Sequence, residues 1–490
     1  MKRSTRNILL PLVWMLGGTF TLLTGQTWTQ LLPVGGPAGR VLDAQVGVTG
    51  YDPVSNRLIV YFPTNPAVLS EPPAEVWVLT NANGLGGTPA WIQLAITGTP
   101  PATDYTNGAY DPITNRLIVY GGCYSNCGFA QSDVIALTNA NGLGGQPAWT
   151  PVSVTNPRPR DGHTAVLDSI HNLMITFGGG LAFYGTDQND TAVLTNANGT
   201  ISPSSWNSLV TLGGPPDNRE EAGANYDEIR NRMILFAGNR LNSNFTFTEF
   251  NNVWTLSNAN GMGGIPNWTL LSPTGTPPHT RLRHSQVYDS NNNRMIVFGG
   301  STEVPCCSVF GDLWQLSNAN GLGGPSAWTQ LTPTGALPGP TSGHRVAYDM
   351  SHQRMIIAGG ADASFNSHNR VWVLALQSYN VCLLYDPARA VHSGAVLPVK
   401  IQICDSNGSN RSSADIIVHA TNITQGTTIF PVQDSGRANP GNNFRFDSSL
   451  GGTGGYIFNL STRGLNPATY KLNFTIGNDS TVYSASFQVE

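Results

Sequence analysis

The chain has 490 residues, enough for two to four domains, and its 40% hydrophobic content can build real cores. Only 11% of residues are charged, the formal net charge is -4, and no block of Lys and Arg occurs after the N-terminus. The electrostatic footprint of a nucleic-acid binder is therefore missing, and nucleic acid is excluded as a partner.

The chain opens with MKRSTRN, whose Lys2, Arg3 and Arg6 precede an apolar run from Ile8 to Leu23. That order reads as a secretory signal peptide over residues 1–25, cleaved near Gly25, so the mature chain is expected to be exported. Pro11, Gly17 and Gly18 interrupt the run, which is too short to span a bilayer, and no later stretch could do so as a helix. The protein is expected outside the cell with no transmembrane segment in its mature form.

From Tyr51 onward one element recurs: YDPVSNRLIVY at Tyr51, YDPITNRLIVY at Tyr110, LDSIHNLMITF at Leu167, YDEIRNRMILF at Tyr226, YDSNNNRMIVF at Tyr288 and YDMSHQRMIIA at Tyr348. The steps are 59, 57, 59, 62 and 60 residues, so six units fill most of the chain. Each unit reads as four short strands. In the second, the residues from Gly108 to Tyr110 lead into a turn, and Arg116–Tyr120, Asp133–Leu137 and a strand opening at Trp149 follow. One such sheet leaves two apolar faces bare, so the six are expected to pack face to face around an axis as the blades of an all-β, six-bladed β-propeller spanning residues 26–378.

A second recurring stretch, TNANGLGGTPAW from Thr80, has relatives at Thr138, Thr195, Ser257 and Ser317. Its Asn and Gly residues tolerate positive φ, which a hairpin between third and fourth strands needs, and its Trp is a large anchor between blades. Calcium is the rival use of these amides, but the copies hold no Asp or Glu to supply charge. Trp28 begins a strand with no hairpin before it, while VWVLAL at residues 371–376 has no Trp strand after it. The N-terminal strand should complete the last blade and lock the ring.

These motifs resemble the kelch-repeat family: RLRHSQVYD from Arg281, MIVFGG ending at Gly300, DLW from Asp312 and the later Trp328 follow the family's order of elements. The resemblance covers residues 27 to 376 and implies a kelch-type propeller of the kind also used by galactose oxidase. After Leu376, alternating stretches such as LPVKIQICD and TYKLNFTIG read as an Ig-like β-sandwich over residues 379–490. Pro398, Val399, Lys400 and Ile401, with LGGTGGYIFNLSTRGLNPATYKLNF from Leu450, resemble the PxKF domain of secreted bacterial proteins, with Ile in place of its Phe. That resemblance implies attachment or spacing.

In an exported chain the six cysteines are disulfide candidates: Cys123 with Cys127, Cys306 with Cys307, and Cys382 with Cys404. No His lies close in sequence to either of the first two pairs and their spacings do not match a zinc site, so no metal or cofactor is assigned.

Function is sought where the repeats diverge, in the loops between second and third strands. Tyr124, Phe183, Tyr184 and Phe245 lie there among Asn and Ser, a mixture suited to glycans as well as to packing within the loops themselves. A second candidate group stands just before the YD element: Arg160, Arg219 and Arg281, with His163, His284 and His344 three residues later. In the family topology these approach the channel mouth, either as a basic ring for an acidic ligand or as caps on carbonyls inside each blade. The basic-ring reading requires Arg281→Ala to abolish ligand binding while leaving thermal unfolding nearly unchanged.

The carboxylates Glu75, Asp187, Asp190, Glu249, Glu303 and Asp362 are scattered, with nothing to mark two as catalytic partners. The reading is a monomeric, non-catalytic binding protein for a glycan or cell-surface protein. A galactose oxidase-like copper enzyme, a sugar isomerase and a structural adhesion component are the alternatives.

Overall fold

The computed structural model describes residues 26–37, 47–63, 73–101, 103–124, 129–181, 187–303, 308–364, 366–376, 379–404, 410–433, 438–477 and 479–490. Residues 1–25, expected to form a signal peptide, lie outside the described residues together with Cys127, Phe183, Tyr184, Cys306 and Cys307, as does the side chain of Tyr124.

Each repeat forms an antiparallel sheet. In the second, Asn107–Asp111, Arg116–Tyr120, Val134–Thr138 and Ala148–Pro151 are neighbours, the last at the outer edge. Leu117, Ile118, Val119 and Tyr120 are all buried, because neighbouring sheets cover both faces of the second strand. An unbroken apolar run is what such a strand needs.

Six such sheets follow one another. Their first strands, Thr49–Asp52, Asn107–Asp111, Thr164–Asp168, Gly223–Asp227, Ser285–Asp289 and Arg345–Asp349, adjoin in chain order, and the last returns to the first. Thr27–Leu31 pairs antiparallel with Val371–Ala375, so the N-terminal strand supplies the outer strand of the last sheet. Aromatic pairs interlock the seams: Tyr61 with Trp149 at 4.9 Å, Tyr120 with Trp206 at 4.6 Å, Phe177 with Trp268 at 5.1 Å, Phe236 with Trp328 at 5.2 Å and Phe298 with Trp28 at 5.1 Å between ring centroids. At the remaining seam Ala358 replaces the aromatic and packs in one cluster with Trp91.

The TNANG turns do more than reverse the chain. Their first Asn takes the left-handed conformation, as at Asn81 with φ 49° and Asn139 with φ 49°, where Asn is among the few residues tolerated. Their second Asn reaches into the preceding sheet and donates Nδ2 to the buried Asp of its YD element. The distances are 2.6 Å from Asn141 to Asp52, 2.8 Å from Asn198 to Asp111, 2.7 Å from Asn260 to Asp168 and 2.8 Å from Asn320 to Asp227. Asn83 closes the circle by donating to Asp349 of the sixth sheet at 2.6 Å. The sixth sheet has no such turn, because its outer strand comes from the N-terminus. At that seam Asp289 instead accepts from Arg294 Nε at 2.9 Å, while Arg294 Nη2 donates to Gln353 of the sixth sheet at 2.9 Å.

Beyond Leu376, two further sheets share one core. One contains Val396–Cys404 and Gly455–Ser461, the other Val418–Gln425, Ala468–Ile476 and Asp479–Val489. Val399, Ile401, Phe458, Leu472, Phe474 and Phe487 fill the space between them. Cys382 and Cys404 form a disulfide with 22 residues of separation. On the chain-entropy account this contributes about 3.4 kcal/mol. The double variant Cys382→Ala/Cys404→Ala should therefore lower the urea midpoint of the C-terminal unit while leaving the repeat region's tryptophan transition in place. Cys123 is also disulfide-bonded. Among the described residues no helix is long and apolar enough to cross a membrane.

Candidate binding face

Loops joining second to third strands and fourth to first strands emerge on one face, opposite the TNANG and YD turns. The arginines singled out from sequence sit beneath this face and are not presented to solvent. Arg281 donates Nη1 to Gly299 O at 2.8 Å and Nε to His279 O at 3.1 Å. Its two terminal nitrogens also grip both oxygens of Asp312, at 2.8 and 2.9 Å, and its guanidinium lies 4.6 Å over the Phe310 ring. Arg219 repeats the plan with Ala237 O and Asn252 Oδ1, each at 2.9 Å, over Phe250 at 4.0 Å. Asn252 stands where the second, third and fifth sheets have Asp133, Asp190 and Asp312, and burial pushes the Arg219 guanidinium down to about 10. Arg160 pairs with Asp190 at 2.9 Å. Thr103 does the same capping with a hydroxyl, donated to Gly121 O at 3.0 Å. At Thr103, Arg219 and Arg281 the position satisfies the carbonyl just past the end of the second strand, whereas Arg160 donates to Pro159 O and Asp190.

The three histidines are likewise internal. His163 lies against Tyr120, His284 against Phe236 and His344 against Phe298, with ring centroids 4.6, 5.2 and 5.2 Å apart. Neither ring nitrogen of His163 or His344 has a hydrogen-bond partner, whereas His284 Nε2 lies 3.1 Å from Gln286 Oε1. Burial pushes His163 and His344 down to about 3, with Arg160 and His284 respectively adding to the effect. Both are therefore neutral in the fold and titrate near 6.5 when unfolded. The unfolded chain binds more protons between these values, so stability is present above pH 6.5 and falls as pH drops, by up to about 1.4 kcal/mol per pH unit for each histidine. The variant His344→Phe should lose part of that slope in urea midpoints measured from pH 7.5 to 5.

Nearer the axis lies a constellation that the sequence did not mark. Tyr105, Glu221 and Arg283 occupy one register of three fourth-to-first loops with φ of 53°, 53° and 54°, where Gly162 and Gly343 stand in two others. A non-glycine residue there costs on the order of 1 kcal/mol, which a side chain used only as spacer would not offset. Arg283 Nε contacts Glu221 at 3.0 Å and Nη2 contacts Glu303 at 3.2 Å. Burial opposes its charge, but Glu221 and then Glu303 raise its pKa and hold it protonated. Beside it, burial and then Asp187 push Asp161 up to about 6, and burial raises Asp187 as well. Glu220 is raised well above the usual carboxylate range by burial, then by Glu221, Asp187 and Asp161.

The structure thus gathers Asp187 and Glu303, which look scattered in sequence, around Asp161, Glu220 and Glu221. Asp190 belongs instead to Arg160, and Asp362 folds back on Ser364 and Asn366. The legible signal was register: Asp161 and Glu220 each directly follow one of the repeated arginines.

At the loop tips, Phe129 is 79% exposed and Phe245 is 69% exposed, the latter with φ 63°. Tyr124 pairs by backbone with Phe129. A groove of about 500 Å³ also opens beside the second sheet, lined by Pro100, Pro101, Val119, Val134 and Val152, with Asp133 its one titratable residue among those described. Nothing about that lining arranges a nucleophile with a base.

Repeated four-stranded sheets whose first strands adjoin in a circle define a protein of the β-propeller class. The KLHDC2/KLHL20/DRC7 Kelch-repeats domain matches residues 109–316 and 264–387, together more than half of the chain. The chain belongs to this Kelch-repeat family. A solved structure titled "Structure of YjhT" is similar over 70% of this chain and 95% of that one, at 14% sequence identity and a TM-score of 0.47.

Proposed function

We propose that this chain is an exported, non-catalytic binding protein, a closed six-bladed kelch propeller followed by an Ig-like, PxKF-related sandwich, whose irregular-loop face recognises a protein or glycan at a cell surface. Kelch repeats favour protein as the ligand. The observation that carries the reading is the asymmetry between the two faces. On the turn face the repeated Asn and Asp side chains are committed to one another across the seams. On the loop face, Phe129 and Phe245 are exposed on loops that differ from sheet to sheet, and the charged pair Arg283–Glu221 joins the fourth and fifth sheets at a register where other sheets carry Tyr105, Gly162 and Gly343. Exposed aromatics beside fixed charge are the usual makings of a recognition surface.

The double variant Phe129→Ala/Phe245→Ala, compared with the parent on arrays of polysaccharides and surface proteins, should lose its ligand while keeping its unfolding midpoint. Retention of every ligand would move the site off this face. Running the arrays with copper and a peroxide readout tests the oxidase alternative, which peroxide release would support.

A further inference from the structure

We infer that the axial end of the loop face, between the third and fourth sheets, binds an organic cation, an ammonium or guanidinium group, through Asp161, Asp187, Glu220 and Asn239. This deepens the binding reading above and rests on it.

Glu220 and Asn239 exchange both backbone hydrogen bonds, Glu220 N to Asn239 O at 2.9 Å and Asn239 N to Glu220 O at 3.0 Å. Residues paired in this way project their side chains to the same side. The amide of Asn239 therefore stands beside the Glu220 carboxylate. Asn239 is 2% exposed, yet its Oδ1 accepts no hydrogen bond. A buried carbonyl oxygen without a donor costs about 1–3 kcal/mol, so its retention calls for a partner.

The third sheet completes the site. A Cβ on Gly162 would come within 3.1 Å of Glu220 Oε2, so glycine there leaves room for the carboxylate over the seam. Asp187 Oδ2 accepts from Leu241 N at 2.9 Å, two residues along the strand that begins at Asn239. The equivalent bridged pairs elsewhere are Asp104 with Cys123, Asp161 with Gly180, Leu282 with Ser301 and Ser342 with Ala361. Among the described residues a carboxylate facing an amide at this pair is thus found in the fourth sheet alone, and the second, third, fifth and sixth sheets fold without it.

Arg283, Arg240 and Arg160 lie near enough to act on Glu220, Asp187 and Asp161, but their hydrogen bonds go elsewhere, to Glu221 and Glu303, to Asn242, and to Asp190. Once Glu220 ionises, its carboxylate and the Asn239 amide oxygen are both acceptors, and Asn239 Oδ1 has no donor. Among the described residues no three acidic, His or Cys side chains converge tightly enough for a metal ion. An ammonium or guanidinium group spreads its donors over longer reaches than the 2.3–2.6 Å of calcium ligation.

The test is calorimetry on the mature full-length chain at low salt and pH 7.5, with spermidine, acetyl-arginine amide, a lysine octapeptide and calcium chloride as separate probes. The expected result is saturable binding of at least one organic cation, with proton release, weakened about tenfold or more by Glu220→Gln and by Asp161→Asn. Relief of the carboxylate crowding should at the same time leave Glu220→Gln at least as heat-stable as the parent. Binding of the octapeptide alone assigns the cation to a polypeptide, and binding of spermidine as well assigns it to a small ligand; both support the inference. Absence of binding by every organic cation, equal binding by both variants, or response to calcium alone would overturn it. If no cation binds but the Phe129→Ala/Phe245→Ala variant still loses its array ligand, this inference fails and the loop-face reading stands.

Discussion

Replacing Arg281 with Ala should lower the unfolding free energy by about 3–5 kcal/mol, the range found when one partner of a buried ion pair is removed. Arg281 is fully buried and makes four polar contacts, to His279 O, Gly299 O and both oxygens of Asp312. Truncation strands two carbonyls and leaves Asp312 with Trp314 Nε1 but without its counter-charge. Lysine is a poor substitute, because one ammonium cannot reproduce the planar fork. Urea denaturation followed by tryptophan fluorescence measures the loss. An unchanged midpoint would restore the basic-ring reading, in which Arg281 serves a ligand and stability is indifferent to it. The companion change Asn252→Asp should stabilise the protein, because it gives Arg219 the acid that Arg160 and Arg281 already have.

The second large effect concerns closure. Asn83→Ala should cost about 1.5–3 kcal/mol, the value of a hydrogen bond to a charged group together with desolvation of the acceptor left behind. Asn83 and Asp349 are both buried, and their bond joins the first sheet to the sixth, 266 residues apart. Asn83→Asp should cost more than Asn83→Ala, because it places a second carboxylate against Asp349. Burial works against the charge on Asp349, but hydrogen bonds from Ser351, Asn83 and His352 hold its pKa below the usual range. Its stabilising contribution is therefore present above the unfolded value near 3.9 and is lost as pH falls through the depressed folded value. Parent and Asn83→Ala stabilities should accordingly converge in acid. Chemical denaturation from pH 7 down to about pH 2 follows that convergence, and a gap that persists unchanged to that pH would assign the effect to packing.

Much of this architecture is legible in the sequence because it is local and repeated. Alternating apolar runs, turns such as AspProIleThrAsn and a period near 60 give the strands and their number per unit. Trp28, arriving without a hairpin, gives the closure of the last sheet. The TNANG stretch shows the limit of such reading. Its first Asn and its Gly are explained by local backbone conformation, but its second Asn is used by the neighbouring sheet, and nothing in the local sequence names an acceptor about 90 residues upstream.

The arginines and histidines show the same limit from the other side. Their recurrence was visible, but whether a repeated cation faces solvent or caps a carbonyl depends on where the second strand ends in space. For Arg281 and Arg219 the acceptors at Gly299 and Ala237 decide it. The acidic group around Glu220 was nearly invisible. Asp161, Asp187, Glu220 and Glu303 belong to separate loops, and only the ring of sheets brings those loops to one axial opening.

By itself, then, the sequence determined the all-β repeat, the closing strand and the strand-rich C-terminal stretch, since hydrophobic period and turn chemistry act over a few residues. Tertiary structure alone decided which polar side chains hold the seams and which carboxylates crowd at the axis. Hydrogen bonds and charges act through space, and their partners are chosen by how the sheets pack.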